Sequence, residues 1–286
     1  MTGKKKTAVE EIMEKSGNGF HSRVVNLLRH QEWIALVSPY YSDNFTDKPR
    51  EIDIIARKEF DVNEYLNDHL GELNIELFIE CKYINGDTIF WFDNKNISRA
   101  IERTMVDTGM EHPRKNTRIM QLHYLDDVPV AKLFSSEKSR NEDSELMNKA
   151  INQNLNALVY YRGRNDIFPK DPRNSNVLRR VPYPIIVVNS FDHFYCTNMD
   201  DGTEKVEQIT EPFQLEINYA YVDKDRVGRN EYFLIDVVSI DMLEKFLLML
   251  ENKNISVIKQ VLAEDEGQKR RNREQNIKSM NINPAR

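Results

Sequence analysis

Hydrophobic residues along the chain fall either at helical spacing or in short apolar runs, a pattern typical of an α/β protein. Near the amino terminus Phe20, Val24 and Leu28 recur at helical intervals and predict a helix from Gly19 to His30. The apolar run from Trp33 to Val37 then predicts a strand. The chain therefore opens with a helix followed by a strand.

Two more strands are predicted before residue 84. They run from Ile52 to Arg57 and from Ile75 to Tyr83, after a turn that spans Asp43 to Pro49. The segment between them, Phe60 to Asn74, is expected to be an insertion with one helical turn or a ragged hairpin. The opening order is therefore helix, strand, strand, strand.

Beyond this point the patterns alternate between helix and strand. Helices are predicted over Ile97 to Met110 and Glu145 to Leu158, a polar and irregular stretch over Glu111 to Ser144, and a buried strand over Val181 to Asn189. Later strands are predicted at Phe191 to Thr197, Gln214 to Val222 and Glu231 to Val238, before a helix from Met242 to Leu250.

The 286 residues, 40% hydrophobic and 30% charged, are ordinary for a globular protein that buries a substantial core. No linker rich in proline or glycine divides the chain. We expect an amino-terminal arm over residues 1–18, one domain over 19–262 and a basic polar tail over 263–286. Within the domain, residues 108–144 are the best candidate for an insertion.

The formal net charge of −6 does not by itself indicate a nucleic-acid-binding surface, which is normally basic. Basic residues are clustered locally, however. The weak candidates for contacts with phosphate are Arg162, Arg164, Lys269, Arg270 and Arg271. A strand end that runs into a basic loop is the favoured interpretation of Arg162 and Arg164, and a solubilising tail explains the other three residues at least as well.

Two features bear on where the protein works. Cys81 and Cys196 are too few for a disulfide framework, so a reducing, cytoplasmic setting is expected. No apolar stretch approaches the roughly 20 residues needed to span a bilayer, and no signal-peptide pattern follows Met1, so no membrane association is expected.

Three residues in the predicted strands suggest metal chemistry. Asp53 lies in the run from Glu51 to Ala56, and the next strand ends in Glu80, Cys81 and Lys82. Because strand side chains alternate, Glu80 and Lys82 share a face while Cys81 points to the opposite layer. Two carboxylates and an amine in this arrangement can hold a divalent cation beside a phosphodiester. A plain surface ion pair between Glu80 and Lys82 is the alternative.

The pattern resembles the PD-(D/E)XK nuclease superfamily, in which Asp53 fits the first acid and Glu80 with Lys82 fits the acid-x-lysine pair. The resemblance implies a restriction-endonuclease-like fold, an α/β class with a mixed β-sheet core flanked by helices and carrying insertions. It implies that Asp53, Glu80 and the backbone carbonyl of Cys81 hold Mg²⁺ or Mn²⁺. Lys82 would orient or help deprotonate the attacking water and offset charge in the transition state.

One position departs from the family's pattern. Many members begin the first helix with Phe-Glu, but here Phe20 is followed by His21. His21 could contact phosphate, although a packing role is the simpler interpretation. Glu51 could serve as an additional acid that positions water or a second metal ion, and a solvated strand residue is its ordinary interpretation.

The resemblance implies a metal-dependent endonuclease whose substrate is DNA, with RNA left open because the same chemistry serves both backbones. The acidic overall charge favours regulation or targeting by a partner subunit, as in relatives from phage defence, or self-association into a homo-oligomer. The alternative is a catalytically inactive subunit of the same fold that binds or scaffolds other molecules.

Overall fold

The structure is a computed structural model that describes residues 17–62, 71–110, 117–136, 143–162, 167–168, 177–199 and 205–281. Its helices are α1 (Asn18–His30), α2 (Ile97–Thr108), α3 (Asp143–Tyr161), α4 (Ile240–Met249) and α5 (Ser256–Asn281). Its strands are β1 (Ile34–Val37), β2 (Tyr40–Ser42), β3 (Pro49–Glu51), β4 (Ile54–Asp61), β5 (Glu72–Lys82), β6 (Thr88–Asp93), β7 (Val130–Ser136), β8 (Val177–Val188), β9 (Phe194–Asn198), β10 (Glu207–Gln208), β11 (Phe213–Val222) and β12 (Gly228–Ser239).

Ten of these strands form one mixed sheet in the order β1-β4-β5-β8-β12-β11-β7-β6-β9-β10. Antiparallel pairs join β1 to β4 and β4 to β5, whereas β5, β8 and β12 are parallel neighbours. The two remaining strands, β2 and β3, form a separate antiparallel pair. The coarse prediction of an α/β protein with a mixed sheet flanked by helices is confirmed.

Two apolar cores lie on the two faces of the sheet. On one face Leu28 of α1 and Leu243 of α4 pack with Ile79 of β5, while on the other Leu155 of α3 packs with Phe78. Ile79 and Phe78 are neighbours on one strand and alternate between the two cores, as the period of a β-strand requires. β5 is therefore covered by helices on both faces.

The predicted segments differ from the structure in two places near the middle of the chain. The expectation that Glu111 to Ser144 is irregular was wrong over Val130–Ser136, which forms β7 and pairs with β6. The strand β6, Thr88–Asp93, was not predicted either. Part of the 108–144 segment, expected to be an insertion, thus belongs to the main sheet, because β7 also contacts β11.

The carboxyl-terminal part, expected to be a basic polar tail, is helical as far as Asn281. The expected boundary between residues 262 and 263 falls inside α5, which continues without a break to Asn281. A π-helical segment, Leu250–Ile255, joins α4 to α5 and buries Leu250 and Asn254. Within the described residues, no helix has the length and apolarity needed to cross a membrane.

Candidate functional site

Asp53 and Glu80 lie opposite each other where β4 and β5 meet. The two strands are antiparallel, with Ile54 paired to Ile79, so extending the register by one residue sets Asp53 against Glu80. The predicted strand from Ile52 to Arg57 is interrupted here, because β3 ends at Glu51 and β4 begins at Ile54. Asp53 therefore lies in the short gap between two strands, at the end of the β4–β5 ladder.

Hydrogen bonds link the two acids through the backbone. The amide of Cys81 donates to Asp53 Oδ2 at 2.8 Å, and the amide of Asp53 donates to Glu80 Oε1 at 3.4 Å. The carbonyl of Asp53 also accepts a bond from the Ser38 amide at 2.8 Å. These bonds fix both the backbone and the carboxylate of Asp53, so the acid is held in place rather than free to rotate.

Lys82 joins the two acids, as its position on the same face as Glu80 predicts. Its Nζ lies 2.6 Å from Glu80 Oε2 and 3.6 Å from Asp53 Oδ2. The side chain of Glu80 is fully buried, and those of Lys82 and Asp53 are only 11% and 14% exposed. The structure thus brings all three predicted side chains into one partly buried cluster.

Burial and charge act against each other at this cluster. Burial raises the pKa of Glu80 to about 8, although the neighbouring Lys82 ammonium works in the opposite direction. For Lys82, burial disfavours the charged form, but the carboxylates of Glu80 and Asp53 outweigh it and raise the pKa of the amine. The amine is therefore protonated in this environment, and the cluster already holds one positive charge beside its two acids.

His21 lies at the same place, on the first turn of α1. Its Nε2 is 3.5 Å from Asp53 Oδ2, and its side chain is 26% exposed. His21, Asp53 and the Cys81 thiol present one ligand atom each within 4.8 Å of one another. His21 therefore contacts Asp53 in addition to any packing role. It does so from the position where the resemblance implies a glutamate.

Glu51 is directed elsewhere. It ends β3, opposite Tyr40 in the small β2–β3 sheet, and a hydrogen bond to its carboxylate raises the pKa of the Tyr40 phenol. β3 ends at Glu51 and β4 begins at Ile54, so Glu51 and Asp53 do not lie on one continuous strand. This side chain therefore does not add a third acid to the cluster.

Tyr41 is a neighbour of the site that sequence patterns did not indicate. It is buried, and its hydroxyl donates to the Gln153 carbonyl on α3 at 3.3 Å. Burial raises the pKa of its phenol, with the Glu80 carboxylate as the next largest cause. No local sequence pattern indicates this position of Tyr41, because it depends on the packing of the β2–β3 pair against α3, a distant segment of the chain.

The predicted phosphate contacts have mixed positions. Arg162 Nη1 donates to Glu231 at 2.9 Å, and its guanidinium lies 5.6 Å from the Phe233 ring centre, so this half-buried side chain is already paired within the protein. Arg164 lies outside the described residues. Three basic residues of the tail that were candidates for phosphate contacts, Lys269, Arg270 and Arg271, are on α5, where Lys269 and Arg271 are exposed.

The donors of the cluster suit a hard divalent cation. One carboxyl oxygen of Asp53 and one of Glu80 lie 3.6 Å and 2.6 Å from the Lys82 amine. Carboxylate oxygens are the preferred protein ligands of Mg²⁺ and Mn²⁺. The residues present therefore fit such an ion, and Asp53 and Glu80 are the side chains that would hold it.

No family model, no curated protein and no solved structure matches this chain.

Proposed function

We propose that the protein is a metal-dependent nuclease of the restriction-endonuclease-like fold that hydrolyses phosphodiester bonds, with DNA as substrate. The single observation that carries the proposal is that Asp53, Glu80 and Lys82 lie together. A carboxyl oxygen of each acid is within 3.6 Å of the Lys82 amine. Two acids and a lysine suit phosphodiester hydrolysis because the reaction needs both a cation site and compensation for negative charge.

The roles follow from the environment of each group. Asp53 and Glu80 would hold Mg²⁺ or Mn²⁺, with the Cys81 carbonyl as a further ligand by resemblance; the bound ion would polarise the phosphate and acidify water. Lys82 carries its proton and is therefore suited to donate to a phosphoryl oxygen and to orient water. His21 can hold Asp53 in position through its ring nitrogen, 3.5 Å away.

The experiment is a comparison of Lys82→Ala with the wild-type protein on supercoiled plasmid, linear DNA, single-stranded DNA and RNA, each with Mg²⁺, Mn²⁺ or EDTA. We expect cleavage only with metal, and a loss of at least about a hundredfold in the variant. Lys132→Ala is the matched control, since Lys132 also pairs with an acid, Asp93, at 2.9 Å. Equal cleavage by Lys82→Ala and wild type would defeat the proposal.

The two free cysteines, Cys81 and Cys196, support a cytoplasmic location. The net charge of −6 supports targeting or regulation of the nuclease by a partner subunit. Cutting both strands of a duplex also requires two sites, so we propose a homo-oligomer or a partner protein in the active assembly. Light scattering that finds a monomer both with and without DNA would contradict self-association.

One observation favours a second candidate function, an inactive subunit of the same fold that binds or scaffolds. Glu80 has no solvent exposure, and Lys82 lies 2.6 Å from it, as a structural ion pair would. Isothermal titration with Mn²⁺ separates the two functions. A nuclease should bind Mn²⁺, and the double variant Asp53→Asn, Glu80→Gln should abolish this binding. A scaffold should show no Mn²⁺ binding that depends on these two residues.

A further inference from the structure

A surface groove lies beside α3, between the turn that joins β2 to β3 and the hairpin of β11 and β12. It consists of two adjoining cavities of about 610 and 570 Å³, which share Asp43, Arg50 and Asn156 as lining residues. The lining residues Lys149, Gln153 and Asn156 recur at helical spacing, so one face of α3 forms a wall along both cavities. The groove is therefore continuous along this helix.

One end of the groove adjoins the candidate active site. Glu80 follows Phe78 by two residues on β5 and therefore points to the face of the sheet that α3 covers. Gln153 Nε2 donates to the Glu51 carbonyl at 3.2 Å, and the Tyr41 hydroxyl donates to the Gln153 carbonyl at 3.3 Å. Gln153 and Tyr41 line the groove, and Glu51 lies two residues before the first acid. A chain molecule in the groove would thus lead towards the cluster.

Aromatic rings line the other end of the groove. Tyr219 and Tyr221 are alternate residues of β11, with ring centres 6.5 Å apart and ring planes within 19° of parallel. The Tyr219 hydroxyl donates to Asn156 Oδ1 at 3.0 Å, which holds this ring in place. On the opposite wall Phe45 is 75% exposed, the largest exposure among the large apolar side chains in the described part of the molecule. These rings offer flat surfaces for stacking.

The turn that carries Phe45 is held in a defined conformation. The Asp43 carboxylate accepts a hydrogen bond from the Phe45 amide at 2.9 Å, within the turn. Arg226, at the tip of the β11–β12 hairpin, lies 2.5 Å from an oxygen of Asp47 and donates to the Asn44 carbonyl. The two walls of the groove are therefore joined, and Phe45 faces Tyr219 and Tyr221 across a limited width.

The charge of the groove is positive, in contrast to the net charge of −6 of the whole chain. Its lining contains three cations, Arg50, Lys149 and Arg229, and one acid, Asp43. Arg50 Nε lies 3.6 Å from Asp43, and Arg229 Nε lies 2.8 Å from Asp223. Lys149 is exposed and forms no salt bridge within the described residues. Positive charge beside stacking surfaces suits a ligand that carries both phosphates and flat rings.

We propose that this groove binds a single-stranded nucleic acid and directs it to the candidate active site. Its bases would stack on Phe45, Tyr219 and Tyr221, and its phosphates would pair with Lys149 and Arg50. Such binding tolerates any sequence, because every base has a π-face. The inference rests on the proposed nuclease function only in that the bound strand is the substrate.

The shape of the groove favours a single strand over a duplex. In a double helix the faces of the bases are covered by stacking, so they are not accessible to the rings of Phe45, Tyr219 and Tyr221. A duplex is also too wide, since its major groove alone measures about 12 Å. Cavities of about 610 and 570 Å³ are in the size range of sites for small ligands. They can admit a few unpaired nucleotides.

The test measures fluorescence anisotropy of labelled oligonucleotides of equal length, in EDTA so that no metal-dependent cleavage occurs. The ligands are a thymidine strand, a uridine strand, an abasic strand with the same phosphates, and a blunt duplex. We expect the wild-type protein to bind the thymidine or the uridine strand about tenfold more tightly than the abasic strand, as one base–aromatic stack contributes. The ratio of the thymidine and uridine affinities distinguishes DNA from RNA as the ligand.

Two exposed residues provide variants that should not disturb folding. Phe45→Ala should weaken binding of the preferred strand about tenfold and leave the abasic strand unaffected. Lys149→Ala should reduce the slope of log affinity against log salt by about 0.7, the effect of one phosphate contact on a single strand. Leu133→Ala on β7, 55% exposed, and Lys245→Ala on α4 are the matched controls outside the groove and should leave binding unchanged.

Three results on the wild-type protein would overturn the proposal: equal affinity for base-containing and abasic strands, a duplex bound as tightly as a single strand, or no binding of either strand. Unchanged binding in Phe45→Ala would also overturn it. These measurements do not involve catalysis. If strands bind as expected but no substrate is cleaved with metal, the nuclease proposal fails and the groove assignment stands, whereas cleavage without strand binding in the groove defeats the groove assignment alone.

Discussion

At the scale of single residues, Glu80 has the most unusual environment in the candidate active site. A carboxylate without solvent exposure is held 2.6 Å from a lysine amine, and burial raises its pKa to about 8. Ordinary surface pairs do not perturb either partner in this way. Strongly shifted groups in a cluster of acids and a lysine are typical of functional sites.

This shift predicts that Mn²⁺ binding depends on pH. The raised pKa means that Glu80 holds its proton up to about pH 8, and a metal ion must displace that proton. We therefore expect the Mn²⁺ affinity to rise about tenfold per pH unit below that value and to level off above it. Isothermal titration at several pH values measures this.

His21→Ala is the control for the pH dependence, because the His21 ring also faces Asp53, at 3.5 Å. The rise in Mn²⁺ affinity should persist in this variant. Loss of this rise in His21→Ala would contradict the role given to Glu80.

His21 itself supports a second prediction at this scale. Since its Nε2 faces Asp53 at 3.5 Å, His21→Ala should weaken Mn²⁺ binding about tenfold or more, as the loss of groups that orient metal ligands does. His21→Glu, which introduces the acid expected from the resemblance, should restore it. His30→Ala is the matched control, since His30 lies on the same helix and bonds only locally, to the Asn26 carbonyl at 2.7 Å. If His21→Ala bound Mn²⁺ as tightly as the wild type, the prediction would be wrong and His21 would have a packing role alone.

At the scale of elements, the β4–β5 pair determines where the acids meet. Besides the apolar contacts, the ladder contains a buried ion pair in which Arg57 and Glu76 are direct cross-strand partners. Arg57 Nη2 lies 2.7 Å from Glu76 Oε1, both residues are at most 5% exposed, and the guanidinium lies 4.1 Å from the Phe168 ring centre. Such a pair holds register, because a slip of one residue would separate two buried charges.

We predict that Glu76→Leu lowers the free energy of unfolding by about 3 kcal/mol, because Arg57 is then left buried without a counter-charge. The double variant Arg57→Met with Glu76→Leu should recover most of that loss. Urea unfolding measures both. Asp47→Asn is the control, since it breaks an exposed pair with Arg226 and should leave the midpoint unchanged. A double variant no more stable than Glu76→Leu alone would contradict this account.

At the scale of the whole molecule, one ten-stranded sheet connects the candidate active site to the rest of the fold. Asp53 and Glu80 are held at the end of its β4–β5 ladder, and His21 reaches them from α1. A ligand that bridges these elements in the native state alone must stabilise the entire fold, because it has no comparable site in the unfolded chain.

Mn²⁺ at about one hundred times its dissociation constant should therefore add about 2.7 kcal/mol to the free energy of unfolding. The increase should vanish in the Asp53→Asn, Glu80→Gln double variant and persist in Lys132→Ala, whose ion pair with Asp93 joins β7 to β6. Urea unfolding with and without Mn²⁺ measures it. The same increase in the double variant would place the metal elsewhere in the molecule.

Local patterns predicted much of the fold because they depend on side-chain spacing alone. The helical period of Phe20, Val24 and Leu28 predicted α1, and strand alternation correctly set Glu80 and Lys82 on one face of β5. The strands β6 and β7 were missed, since their place in the sheet depends on pairing between segments about 40 residues apart. Long-range pairing leaves little trace in a local pattern.

The sequence by itself thus predicted α1 to α4 and most of the described strands, and named Asp53, Glu80 and Lys82 as one candidate site. Only the tertiary structure decided that the strand is interrupted between β3 and β4. This interruption separates Glu51 from the cluster and leaves Asp53 at the end of the β4–β5 ladder. It also placed His21 against Asp53. The reason is physical: side-chain spacing sets local structure, but contacts between distant segments form only when those segments pack together.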